Sequence, residues 1–168
     1  MDDRDLLSLL RTTPWIADLL VSFGFDLRRA VTKQVWMPSG EPLEMIAGDA
    51  AGGMFLRAAD GAIVCAGSAG EGGLIARDLH TALALVVGLP SLHGAFVSLS
   101  GEPLDAWLAA ADEEIRAGRP SLDGDRDRLR AALDLPMAST LLAALRAAAA
   151  DEGYRPVGEQ GPYRSMLR

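Results

Sequence analysis

The stretch Met54-Phe55-Leu56-Arg57-Ala58-Ala59-Asp60-Gly61-Ala62-Ile63-Val64-Cys65-Ala66 decides the fold. Two short apolar runs, Met54 to Ala58 and Ala62 to Ala66, flank an Asp-Gly pair. Asp-Gly supplies the positive φ angles of a type I′ turn, whose twist matches that of the strands it joins. The stretch therefore predicts an antiparallel β-hairpin.

Working upstream, the runs Leu43 to Ala47 and Gln34 to Met37 read as further strands. Pro38-Ser39-Gly40 and Gly48-Asp49 with Gly52-Gly53 mark the turns between them. Together they predict a central, mostly antiparallel sheet over about residues 33–66. Downstream, Gly67-Ser68-Ala69-Gly70-Glu71-Gly72-Gly73 reads as a strand-to-helix connection. The helix is expected from about Leu74 to Gly88, with Ile75, Leu79, Leu83 and Val86 near one face and Gly88 and Pro90 as stop signals.

Helices are expected on both sides of the sheet. In the first 32 residues, Asp3 is placed to cap a helix bearing Leu6, Leu7 and Leu10. Thr13-Pro14 restarts the helix, Thr as N-cap and Pro at the first helical position, and Gly24 ends it. Residues 91–168 are expected to be helical again. Ser100 or Glu102 would cap a helix with Pro103 in its first turn and an apolar stripe of Leu104, Trp107, Leu108, Ala111 and Ile115. Shorter helices follow from Asp123 to Leu133 and from Ser139 to about Asp151. The tail from Gly153 onward is expected to be irregular, tacked down by Tyr154, Tyr163, Met166 and Leu167. The fold class is α+β, in one domain over residues 1–168.

The chain has 168 residues, 49% apolar but only 5% aromatic, so its core must come from Leu, Ala, Val and Ile. Such a composition is globular rather than disordered. The formal net charge is −7, and the arginines are scattered among acids, as in Asp123-Gly124-Asp125-Arg126-Asp127-Arg128. Nucleic-acid binding needs a basic face for its phosphate contacts, which argues against that class. A single cysteine, an acidic N-terminus and no long apolar run lead us to expect a cytoplasmic chain without a membrane segment.

Catalytic chemistry finds little purchase. Zinc needs several Cys or His at short spacing, and the chain offers Cys65, His80 and His93. Asp123-x-Asp125-x-Asp127 begins like a calcium loop but has Arg128 and Asp134 where Gly and Glu belong. Cys65 reads as a buried strand thiol, which is inert. Glu113-Glu114 and Asp151-Glu152 are neighbours, which do not face each other on a helix. No cofactor is expected. The Gly67 to Gly73 loop resembles a phosphate cradle in placement, since a strand is expected before it and a helix after it. It lacks the Lys-Ser/Thr of a P-loop, and Glu71 puts negative charge where an anion would lie. Binding of a small molecule or nucleotide there is the rival reading. A structural homo-oligomer formed by the Ala-rich stripe Ala143 to Ala150 is a third.

The stretch from Pro42 to Pro90 resembles the SUKH superfamily. The similarity lies in Pro42 to Asp49, the Gly52-Gly53-Met54-Phe55 entry into a strand, the Asp60-Gly61 hairpin with Ile63-Val64, and Gly73-Leu74-Ile75-Ala76, Leu79 and Val87 to Pro90. The resemblance implies an α+β protein-binding module without enzymatic activity. It implies an immunity-type role, in which the chain neutralises a toxin by steric occlusion. The partner would be a protein, a basic toxin domain suiting the charge of −7. The same resemblance points to Asp49, Asp60 and Glu71 at loop tips, with Trp36 as aromatic anchor.

Overall fold

A computed structural model describes residues 1–31, 33–99 and 104–167 of the chain, the side chains of 97–99 aside. Strands β1 (Glu44–Gly48), β2 (Met54–Arg57), β3 (Ile63–Ala66) and β4 (Gly72–Ala76) form an antiparallel meander in the order β1-β2-β3-β4. Helices α1 (Asp3–Thr12) and α2 (Pro14–Val21) precede it. Helices α3 (Leu79–Gly88), α4 (Leu92–Leu99), α5 (Leu104–Gly118), α6 (Leu122–Leu133) and α7 (Leu142–Ala149) follow it. The fold is α+β with helices at both ends, as the sequence predicts. A two-stranded hairpin, β5 (Val157–Gly158) with β6 (Gly161–Pro162), gives the tail more order than expected. Caps read at Ser100 or Glu102, and Pro103 beside them, lie outside the described residues.

One turn design recurs through the meander. Ala58 N–H donates to Ala62 O (2.9 Å) and Gly61 N–H to Ala58 O (3.0 Å). Gly61 has φ +91° while Asp60 stays in the negative range. The turn is therefore a three-residue loop, Ala59-Asp60-Gly61, ending in a left-handed glycine, and not the predicted two-residue type I′ turn. Asp60 instead accepts a hydrogen bond from Ala62 N–H (3.0 Å), so its side chain steadies a right-handed residue. The same pairing closes Pro38-Ser39-Gly40, Ala50-Ala51-Gly52 and Ser68-Ala69-Gly70.

The last of these turns corrects the reading of the chain beyond Ala66. Gly67 N–H donates to Glu71 O (2.7 Å), and Gly72 to Ala76 returns as strand β4, paired with β3 from Ala66↔Gly72 to Ile63↔Ala76. Helix α3 starts only at Leu79. A short apolar run such as Leu74-Ile75-Ala76 fits a buried strand as well as a helix. The converse error lies upstream: Gln34 to Met37 is no strand, and Trp36 makes only isolated bridges to Pro42 and Val157.

Both faces of the sheet are covered. Phe55, Ile63 and Ile75 face a core shared with α1, α2, α3 and α6. Met54, Leu56, Val64, Ala66 and Leu74 face a second cluster with Val35, Leu43 and Ala148. Two-sided burial explains why β3 and β4 read as continuous apolar runs rather than alternating ones. Asp2, not Asp3, caps α1 through Asp5 N–H (2.8 Å). Asp3 accepts from Leu79 N–H (3.1 Å) and Asp78 from Thr81 N–H (2.7 Å), so two carboxylates cap α3. The tail is held as expected, with Met166 buried in the first core and Tyr154 and Tyr163 against the second.

Candidate functional site

Alternate turns of a meander lie at opposite ends of the sheet. The β1–β2 turn with Asp49 and the β3–β4 turn with Glu71 share one end, and the β2–β3 turn with Asp60 lies at the other. At the Asp49 and Glu71 end the chain opens a cleft of about 620 Å³. Its apolar floor includes Phe55, Cys65, Val86, Leu89, Phe96 and Met166. Its walls come from Phe23 and Gly24 after α2, from Leu92 and His93 of α4, from Ile115 of α5, and from Arg119, Leu122 and Arg126. That volume and lining fall in the range of ligand-sized clefts.

The charges around the cleft differ in how far they are used. Arg126 is only 4% exposed. It donates through Nε to Val87 O (2.8 Å) and through Nη2 to Asp112 (2.9 Å), which ties α6 to α5 and to the end of α3. Arg119 donates to Asp125 (2.6 Å) and Ser22 O (3.1 Å) and lies over the Phe23 ring. Asp125 also accepts from Ser121, and Arg119 holds its carboxyl below the usual carboxylate range. Asp49 accepts from Ala51 N–H (2.9 Å) and Gly53 N–H (2.8 Å), so its first task is to close its own turn. Glu71 stands apart. Its side chain is 23% exposed, and among the described residues its carboxylate accepts no hydrogen bond. The basic group beside it is His93, whose Nδ1 lies 3.8 Å from Oε2. Burial, with the Asp49 charge in second place, pushes the Cys65 thiol in the floor up to about 12.

Of the four residues singled out from the sequence, the fold brings Asp49 and Glu71 together and leaves Asp60 and Trp36 elsewhere. Asp60 accepts a short hydrogen bond from Tyr154 Oη and, chiefly through it, titrates below the usual carboxylate range. Arg77 lies over the Tyr154 ring and donates to Asp151 (2.9 Å). Trp36 exchanges main-chain hydrogen bonds with Val157 (2.9 and 2.8 Å), so it anchors the tail. His80 Nε2–H donates to Asp134 O (2.7 Å) and Leu133 O (3.1 Å) at the end of α6.

The Gly67 to Gly73 segment lines the cleft but does not lead into a helix. The α3 N-terminus is occupied by Asp3 and Asp78, so the helix-start cradle of the rival reading is not built there. The apolar face of α7 is spent inside the chain, with Leu145, Ala148 and Ala149 buried. Among the described residues no cluster of three or more His, Cys, Asp or Glu could hold a metal, and no helix is long and apolar enough to cross a membrane.

Helix α4, with Leu92, His93 and Phe96, escaped the sequence reading. Its signal was Ser91, whose Oγ accepts from Gly94 N–H (3.1 Å) as an N-cap. Buried Arg126 carried no readable signal, because a charged residue in an acidic helix start reads as solvent-facing. No family model, curated protein or solved structure matches the chain.

Proposed function

We propose that the chain is a non-enzymatic binding module that takes a projecting segment of a protein partner into the cleft between the Asp49 and Glu71 turns. The observation that carries this reading is the cleft itself: about 620 Å³ over an apolar floor, lined at its rim by the turn acids Asp49 and Glu71. Buried apolar anchors under a polar rim are how protein interfaces concentrate their energy. The immunity-type role, in which such docking occludes the active site of a basic toxin domain, is the biological form we favour. The net charge of −7 supports it by steering a basic partner.

A random-peptide library displayed on phage and panned against the immobilised chain tests the reading. Enriched sequences should appear. They should be lost with Cys65→Phe, which fills the floor, and with Ile115→Arg, which charges the wall, in proteins whose thermal melts show them folded. No enrichment, or enrichment indifferent to both variants, would overturn it. For the immunity role, a toxin encoded beside the gene should be inhibited by the wild-type chain and spared by Cys65→Phe.

A further inference from the structure

Among the described residues, the Glu71 carboxylate at the cleft accepts no hydrogen bond. Arg119, Arg126 and Asp49 are each tied to partners of their own. The Glu71 side chain is partly buried with its carboxylate open to the cleft, and His93 at 3.8 Å is beyond hydrogen-bond distance. A carboxylate with free acceptor sites beside an apolar floor can take a charge-assisted bond from a cation, which is stronger than a neutral one.

The backbone holds Glu71 still. Gly67 N–H donates to Glu71 O (2.7 Å), Gly72 N–H to Arg164 O (2.9 Å), and Arg164 N–H to Gly70 O (2.9 Å). The backbone that carries the receiving group is therefore fixed before anything binds, which removes that part of the ordering cost. The surrounding charge has the same sign. Counting the groups bonded to the lining as well, four carboxylates, Asp49, Glu71, Asp112 and Asp125, stand around the cleft against the three guanidiniums of Arg119, Arg126 and Arg164, the last on Ala69 O.

Resting on the binding reading above, we infer that Glu71 sets the specificity of the cleft. The occupant is a protein segment carrying a lysine or arginine close in sequence to a bulky apolar residue. The apolar side chain goes to the floor at Phe55, Cys65 and Phe96, and the cation goes to Glu71. A polypeptide carries both groups on one covalent chain, which a free amine or a free apolar molecule does not.

The test is the sequence preference of the phage-displayed peptides selected by the wild-type chain, by Glu71→Gln and by Glu71→Lys. The wild type should enrich a Lys or Arg beside Leu, Ile, Phe or Met. Glu71→Gln should keep the apolar position and lose the cation, and Glu71→Lys should exchange it for Asp or Glu. For one wild-type-selected peptide, Glu71→Gln should weaken binding about tenfold. Replacing the peptide's Lys by norleucine should cost as much, and the two changes together little more, as a direct contact requires. Selected peptides that are apolar without a cation, or a cation preference that survives in Glu71→Gln, would overturn this inference and leave the binding reading standing. A binding reading that itself fails shows no enrichment at all, or enrichment that persists in both Cys65→Phe and Ile115→Arg.

Discussion

Cys65 lies in the cleft floor with a thiol that burial pushes up to about 12. The residue keeps some accessible surface, but its sulfur is desolvated. Thiolate is the reacting species. Iodoacetamide at pH 8 should therefore alkylate the folded chain at least about 100-fold more slowly than the urea-unfolded one. A folded chain that reacts as fast as the unfolded one would place Cys65 in water and remove the dry floor. The sign of the linkage follows. The unfolded thiol loses its proton first, so stability is full below the ordinary thiol range and falls as pH rises toward 12. At the other end of the sheet the signs divide. Asp60 titrates low, chiefly because Tyr154 donates to it, so its contribution is present above the ordinary carboxylate range and fades as pH falls through it. Tyr154→Phe should flatten the acid limb of a thermal-melt pH series below about pH 4. An unchanged limb would mean that the pair does not hold the tail. Turn composition was enough to place Asp49, Asp60 and Glu71 at turns, Asp60 within its loop and Asp49 and Glu71 as residues that close theirs. It did not say which tips share an end, because that depends on the parity of the hairpins, and β4 was read as helix.

The two caps of α3 come from different parts of the chain, and the sequence reading took neither, because it began the helix at Leu74. Asp78 sits where a local N-cap belongs. Asp3 reaches Leu79 N–H across 76 residues, a contact that no sequence spacing announces. Asp3→Ala should lower stability by about 1 kcal/mol, seen as a drop in the urea midpoint. A midpoint equal to wild type would deny the cap. Helix α5 raises a different question, for none of its residues is buried. Its amphipathic stripe was read correctly as a helix, but its attachment depends on partners the stripe does not reveal. Its ring contact is Trp107 against Gly94, and its charge contacts with α6 are Asp112 with buried Arg126 and Arg116 with Asp123. Asp112→Ala leaves that guanidinium unpaired and should cost about 3 kcal/mol. Arg126→Met in the same chain should recover part of it. A cost near zero for Asp112→Ala would show that the buried pair does not hold α5. The three-residue turns ending in Gly40, Gly52, Gly61 and Gly70 were visible in the sequence as turn residues. Repetition of the one pattern was the clue that Ser68-Ala69-Gly70 also joins two strands.

Across the whole molecule, an acidic surface surrounds a cleft whose own charge is acidic. That arrangement speeds the encounter with a basic partner and makes it sensitive to salt. The association rate of a selected Lys- or Arg-bearing peptide should fall several-fold between 20 mM and 300 mM NaCl, while its dissociation rate changes less. A salt-independent association rate would separate the charge of −7 from recognition. The central claim is that recognition belongs to one end of the sheet. Amide hydrogen exchange of the chain, with and without a saturating wild-type-selected peptide, reads it segment by segment. The account predicts new protection over the turns at 49–53 and 67–71 and over the start of α4, with the 58–62 turn and the Trp36 bridge unchanged. Protection centred on 58–62 and Trp36, with the cleft segments exchanging as before, would contradict it.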